Sequence, residues 1–196
     1  MVKALLAGNK TQTRRIVNPQ PVVDPNSGYT YFKGHKYIFD IHTWKSDIFR
    51  HAPVHVYDVL WVREAFYHIE DSVLPQFAFK ADYHENFNFK NIKWKPSIHM
   101  PYKAARLFYK VVRVGIQQVG EISEHDAEWE GVEYNESLGG WKNYLTDDYL
   151  FGTARESFNS LWQKINGPQS WNANPYVWVY EFEQVDKPKQ FFKQPC

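Results

Sequence analysis

Cysteine is almost absent from this chain: the single one is Cys196, the last residue. A disulfide framework and a thiolate metal cluster are thereby excluded. Long apolar runs are missing as well. Mean hydropathy is −0.59, and no segment approaches the roughly 20 consecutive apolar residues of a membrane helix. The first residues lack the apolar stretch of a secretory signal. A soluble, cytoplasmic protein is expected, with no membrane and no disulfide partner. Charge of one sign is missing too: 23 basic residues stand against 22 acidic ones, a net +1. Proteins that coat duplex nucleic acid are usually strongly basic, so a single nucleotide or a short single strand is the compatible nucleic-acid partner. There is no Walker, dinucleotide or G-x-S-x-G fingerprint, no internal repeat and no linker between domains. His35 with His42, and His51 with His55, have the spacing of metal ligands, but nothing completes a shell. No metal and no cofactor is expected.

Aromatic residues are what the chain has in plenty. They make up 18% of it, as 8 Trp, 13 Tyr and 14 Phe, which excludes disorder throughout. At 196 residues one domain with a real core is expected, over about 1–185, with insertions at about 18–56 and 70–101. The remaining 186–196 reads as a disordered tail.

Periodicity places the elements. Val2, Leu5 and Leu6 have helical spacing, and Gly8 suits the residue after a helix end. Residues Asn18 to Gly34 are rich in turn formers, and Tyr29 to Trp44 reads as a hairpin. "DVLWVREAFY", Asp58 to Tyr67, predicts one regular strand. Its alternation sets Val59, Trp61 and Arg63 on one face and Leu60, Val62 and Glu64 on the other. Arg106 to Val119 is β-rich. Ser123 with Asp126, and Thr153 with Glu156, are helix-start signals. Phe158, Leu161, Trp162 and Ile165 form an apolar stripe on the second helix, closed by Gly167-Pro168. "NPYVWVYEFEQV" is the last strand. Strands outnumber short, scattered helices, which predicts an α+β chain: a mostly antiparallel sheet or small barrel with packed helices.

One segment stands apart. "LLAGNKTQTRRI" places three cations between Lys10 and Arg15, interleaved with Thr11 and Thr13. If extended, Thr11, Thr13 and Arg15 share one face, and Lys10, Gln12 and Arg14 the other. A lysine desolvated near other cations loses its proton more easily and can act as base for a hydroxyl nucleophile. A carboxylate would have to come from elsewhere. A charged edge strand that discourages aggregation carries the same residues.

These blocks, with "DVLWVREAFY", "ISEHDAEWEGV" and "VWVYEFEQV" in this order, resemble the ASCH-domain family of the PUA-like β-barrel superfold. With "KWKPSIHMP" and "FNSLWQKINGP" added, the pattern is similar to the branch carried by bacteriophages and prophages. The resemblance implies a protein that acts on RNA or a modified nucleoside. Small members are amidohydrolases that remove the acetyl group of N4-acetylcytidine, through a lysine and a threonine of a G-x-K-T-x-T-x-R motif and a glutamate ending a helix. The motif here is Gly8-Asn9-Lys10-Thr11-Gln12-Thr13-Arg14-Arg15, so the implied catalytic residues are Lys10, Thr13 and Glu130. Thr11, Arg14, Arg15, Arg63, Trp61 and Trp94 are the candidate ligand-binding residues, with Trp129 a further stacking surface. A non-catalytic module binding single-stranded RNA through the same cleft is the alternative, and a ribonuclease is third. Two departures accompany the match: relatives carry an apolar strand before the first helix, where this chain begins at Met1-Val2, and Tyr57 stands where glycine commonly precedes the aspartate of "DVLWV".

Overall fold

The computed structural model describes residues 1–27, 30–37, 47–69, 77–83 and 92–189. In chain order the elements are α1 (Val2–Leu6), β1 (Gln12–Ile16), β2 (Val22–Val23), β3 (Thr30–Phe32), β4 (His35–Tyr37), β5 (Val59–Trp61), β6 (Phe66–His68) and β7 (Phe77–Phe79). There follow β8 (Phe108–Gln118), α2 (Glu124–Trp129), β9 (Tyr134–Asn135), β10 (Gly140–Asn143), β11 (Asp148–Phe151), α3 (Ala154–Asn166) and β12 (Tyr176–Val185). The fold is mixed α+β, with antiparallel strand pairs and few helices. Its main sheet has the order β1-β12-β8-β5. Three smaller sheets are β2-β3-β4, β6-β7 and β11-β10-β9. No helix among the described residues is long and apolar enough to cross a membrane.

Chain contacts define two compact units. The first comprises Met1, Lys3–Asp58 and Val111–Phe182; the second is Val2, Val59–Lys110 and Glu183–Cys196. The core of the first gathers Val119, Ile122 and Ala127 around α2, Phe158 and Trp162 from α3, and Val177 and Val179 from β12. Trp178 and Tyr180 of β12 are buried too. A strand covered on both faces reads as a continuous apolar run rather than an alternation, which is the pattern of "VWVY". The core of the second unit is Phe66, Phe79, Met100, Ala104, Ala105 and Phe108.

Both helix-start signals operate as expected. The Ser123 hydroxyl accepts from the Asp126 N–H at 3.1 Å. Thr153 and Glu156 form a reciprocal capping box at α3, and Gly167 follows the helix with φ 97°. Such caps satisfy N–H groups that the helix itself leaves unbonded.

The expected regular strand over Asp58 to Tyr67 is corrected by the structure, which divides it into β5 and β6. The Val62 N–H still donates to the Leu107 carbonyl at 3.0 Å, but the Glu64 N–H turns to Met100 Sδ at 3.0 Å. The cause is the Glu64 side chain, which is only 1% exposed and must meet a cation. Arg106 supplies it through two bonds of 2.9 and 2.8 Å. From Phe66 onward the chain pairs with β7 and with Lys95 instead.

The hairpin expected within Tyr29 to Trp44 is present as β3-β4; Tyr29 and residues 38–44 lie outside the described residues, as does 190–196 of the expected tail.

Candidate functional site

The KTQTRR segment is fixed from both sides by backbone bonds. Gly8 takes φ 75° after α1, and the Asn9 and Lys10 N–H groups both donate to the Ala4 carbonyl, at 2.9 and 3.2 Å. The Thr11 N–H donates to the Trp129 carbonyl and the Phe182 N–H to the Thr11 carbonyl, each at 2.9 Å. Lys10 and Glu130 thus form an isolated antiparallel bridge, and β1 continues along β12 from Gln12↔Glu181 to Ile16↔Val177. Residues 120 positions apart meet because the end of α2 is tied to the start of β1.

Polar side chains on that side of β1 form one network. Lys10 Nζ donates to Glu130 Oε2 and to the Glu130 carbonyl, both at 2.7 Å. Arg14 Nη1 donates to Glu130 Oε1 at 3.2 Å and to Gln12 Oε1 at 3.1 Å, and Nη2 lies 3.5 Å from Asp126 Oδ2. Gln12 Nε2 donates to Asp126 Oδ1 at 2.9 Å and Glu181 Oε1 at 3.2 Å. With its amide oxygen turned inward, Gln117 accepts from Arg14 Nη2 and Nε at 3.1 and 3.2 Å. Two cations, Lys10 and Arg14, therefore face two carboxylates, Glu130 and Asp126. The balance matters because Lys10 is only 3% exposed, and an unpaired charge there would cost several kcal/mol, on the order of 3–5.

Burial has a chemical consequence. Desolvation holds the Lys10 amine below the usual lysine pKa of 10.5, with Arg15 and Arg14 pushing the same way against the attraction of Glu130. Gly131 allows the close approach. A Cβ on it would lie 2.8 Å from both Lys10 Cβ and Ala4 Cβ, and its φ is +78°.

Thr13 and Arg15 belong to the other face of β1, as alternation requires. Arg15 Nη1 donates to Thr13 Oγ1 and to the Arg14 carbonyl, both at 2.8 Å. The Thr13 hydroxyl is buried, and the charged hydrogen bond it accepts from Arg15 fixes the direction of its oxygen.

Beside this network lies a cavity of about 230 Å³. Arg14, Arg15 and Glu130 form its polar wall, and Phe158, Leu161, Trp162 and Ile165 of α3 its apolar one. The Arg14 guanidinium is 5.8 Å from the Phe158 ring centre. Trp162 Nε1 is buried with no hydrogen-bond partner among the described residues, although such donors are normally satisfied. The cavity offers an apolar slot, guanidinium groups and a carboxylate. A small planar amide or nucleobase has matching groups.

The remaining candidates fall elsewhere. Trp61, Arg63 and Trp94 belong to the second unit and have partners within it. The Arg63 guanidinium lies 4.9 Å from the Trp61 ring centre, and Trp94 packs against Tyr83 at 5.7 Å. Trp129, at the end of α2, packs against His125 with ring centres 4.2 Å apart and planes tilted by 55°. Among the described residues no group of three His, Cys, Asp or Glu side chains is placed to hold a metal ion.

Sequence reading placed Gln12 on the Lys10 face and Asp126 at a helix start without giving either a role in the site, and it did not single out Gln117 or the cavity role of α3. Gln12 and Arg14 were detectable through the i, i+2, i+4 relation to Lys10. The α3 stripe looked like plain core. No family model, no curated protein and no solved structure matches the chain.

Proposed function

We propose that the chain is a nucleoside-directed protein of the ASCH, PUA-like type that hydrolyses the amide of an N4-acylated cytidine, with Lys10, Thr13 and Glu130 as its working residues. The observation that carries this reading is the buried Lys10 amine, 2.7 Å from Glu130 Oε2 and depressed in pKa by desolvation. Glu130 also lines a cavity of nucleobase size.

In the proposed reaction Thr13 Oγ1 attacks the acyl carbonyl carbon, and its proton passes to unprotonated Lys10. Arg15, already bonded to Thr13 Oγ1, stabilises the developing negative charge. Collapse of the tetrahedral adduct breaks the C–N bond, and the cytosine amine leaves with the proton held by Lys10 while Glu130 orients it. Water gives a proton to Lys10 as it attacks the threonine ester, and collapse of that adduct breaks the ester C–O bond, returns the proton to Thr13 Oγ1 and releases the free acid. The step requires the Lys10 amine to leave Glu130 and come round to Thr13 on the opposite face of β1, and the acyl group to reach past Arg15, since neither Lys10 nor Thr13 lines the cavity in this structure.

Binding without turnover is the second reading, and one observation favours it. In this structure the Lys10 amine is bonded to Glu130, and the Thr13 hydroxyl is bonded to Arg15. The two readings separate in one assay. Purified protein is incubated with N4-acetylcytidine and cytidine release is followed chromatographically. Hydrolysis predicts turnover that falls at least about a thousandfold in Thr13→Ala and about a hundredfold in Glu130→Gln. Turnover unaffected by Thr13→Ala sinks the scheme. Salt-sensitive binding with no turnover leaves the binding module.

A further inference from the structure

We infer that the second compact unit carries a ligand site of its own, an open groove that binds single-stranded nucleic acid by stacking bases on Phe77 and His68 and pairing phosphates with Lys95 and Lys103. The groove encloses about 580 Å³ and is lined by Phe66, His68, Phe77, Lys95, His99 and Lys103, with Pro101 at its edge. This volume suits a site for an organic ligand.

Its floor is aromatic. The His68 and Phe77 rings lie 5.3 Å apart, and Phe66 and Phe77 6.0 Å apart. Phe66 is buried while Phe77 and His68 are half-buried; Lys103 Nζ lies 5.7 Å from the Phe77 ring centre, so a stacking base displaces that ammonium from the ring toward the ligand's own phosphate. Base stacking on such groups is sequence-tolerant, because every base has a π-face.

Its rim is cationic and backbone-fixed. Lys95 is held by two bonds with Phe66, at 2.7 and 3.1 Å. His99 ends a short 3-10 turn, Ser97–His99, and Lys103 sits within another, Tyr102–Ala104. Lys187 Nζ donates to the Lys103 carbonyl at 3.4 Å and adds a cation beside it. In the same unit Arg106 is matched by Glu64 and Asp82, and Lys110 by Glu183. Among the described residues Lys95 and Lys103 have no carboxylate partner, and none of those lining the groove is a carboxylate. Lysines without a described carboxylate partner, beside a cluster of tilted and edge-on rings, are complementary to a ligand that carries phosphates and planar faces together. An acidic peptide has the charge without the planar faces. A lipid surface calls for protruding apolar side chains, which half-buried Phe77 does not supply.

The inference stands apart from turnover at Glu130, and the test keeps the two distinct. A 5′-labelled oligouridylate is titrated with the full chain, and anisotropy is read at several salt concentrations. Binding is expected to weaken with salt, and Lys95→Ala and Lys103→Ala each to flatten the log–log slope by about 0.7. Both lysines are exposed, so the variants keep their thermal unfolding profile and whatever N4-acetylcytidine turnover the parent chain has. Phe77→Leu is expected to weaken binding about tenfold. No binding, affinity unchanged in both lysine variants, or equal competition by polyglutamate or by phosphatidylserine vesicles overturns the inference.

Discussion

At the scale of the residue, the site turns on how one lysine is kept. Lys10 is buried against a carboxylate, two arginines lie close, and desolvation outweighs the ion pair, so the amine sits below 10.5. A base works only when unprotonated. Activity should therefore rise with pH and level off above the depressed Lys10 pKa, with a midpoint below 10.5, and a kcat/KM profile against pH checks this. A rate that falls as pH rises through that range contradicts the role. Legibility at this scale was uneven. Composition could say only that Lys10 to Arg15 is cationic. The pairing with Glu130 spans 120 positions and has no local signature; it was reachable through resemblance alone. Gln12 and Asp126, named only for strand alternation and a helix start, were not assigned to the site, because amide and carboxylate groups on a strand and a helix look like ordinary solvated surface until the chain brings them within 2.9 Å.

At the scale of the element, local chemistry and tertiary demand divide the outcome. Helices α2 and α3 were legible because their caps are made by side chains three residues apart. The β9-β10-β11 meander was not, because strands of two to four residues are too short to show a period. The strand over Asp58 to Tyr67 was read as longer than it is because pattern cannot show that Glu64 leaves the sheet for Arg106. That pair gives a stability prediction. Arg106→Met strands a buried carboxylate and should cost about 3 kcal/mol in urea denaturation, whereas Arg106→Met with Glu64→Leu should cost clearly less. Equal losses would mean that packing, not charge, matters there. The turn before β5 gives a second. Tyr57 holds φ 75° at the position where the resemblance places glycine, and its side chain is 77% exposed. Its N–H donates to the Val111 carbonyl at 2.8 Å, which fixes the backbone in the left-handed region. Tyr57→Gly should stabilise by about 0.5 kcal/mol, since relief of the left-handed strain slightly exceeds the entropy cost of glycine. A loss of stability on thermal unfolding would show that the tyrosine ring is held by packing.

At the scale of the whole molecule, the chain order conceals the division into units. The first is built from the start of the chain and residues 111–182, the second from 59–110 and the residues after 182, and no change of composition marks either boundary. The overall charge of +1 averages over a balanced network at Lys10 and Arg14 and a rim where Lys95 and Lys103 meet no carboxylate among the described residues. Near-neutrality therefore limits long-range attraction without limiting local recognition. The α+β class followed from the count of strand and helix patterns, which survives errors at individual boundaries.

The most direct test of the central claim is whether Thr13 becomes acylated. The chain is mixed with N4-acetylcytidine, quenched in acid during turnover, digested, and the peptide carrying Thr13 is weighed by tandem mass spectrometry. The account predicts an acetyl group on Thr13 that is absent from Thr13→Ala and accumulates when deacylation is slow. Cytidine release with the same rate in Thr13→Ala, and no acetyl group on that peptide, would contradict it.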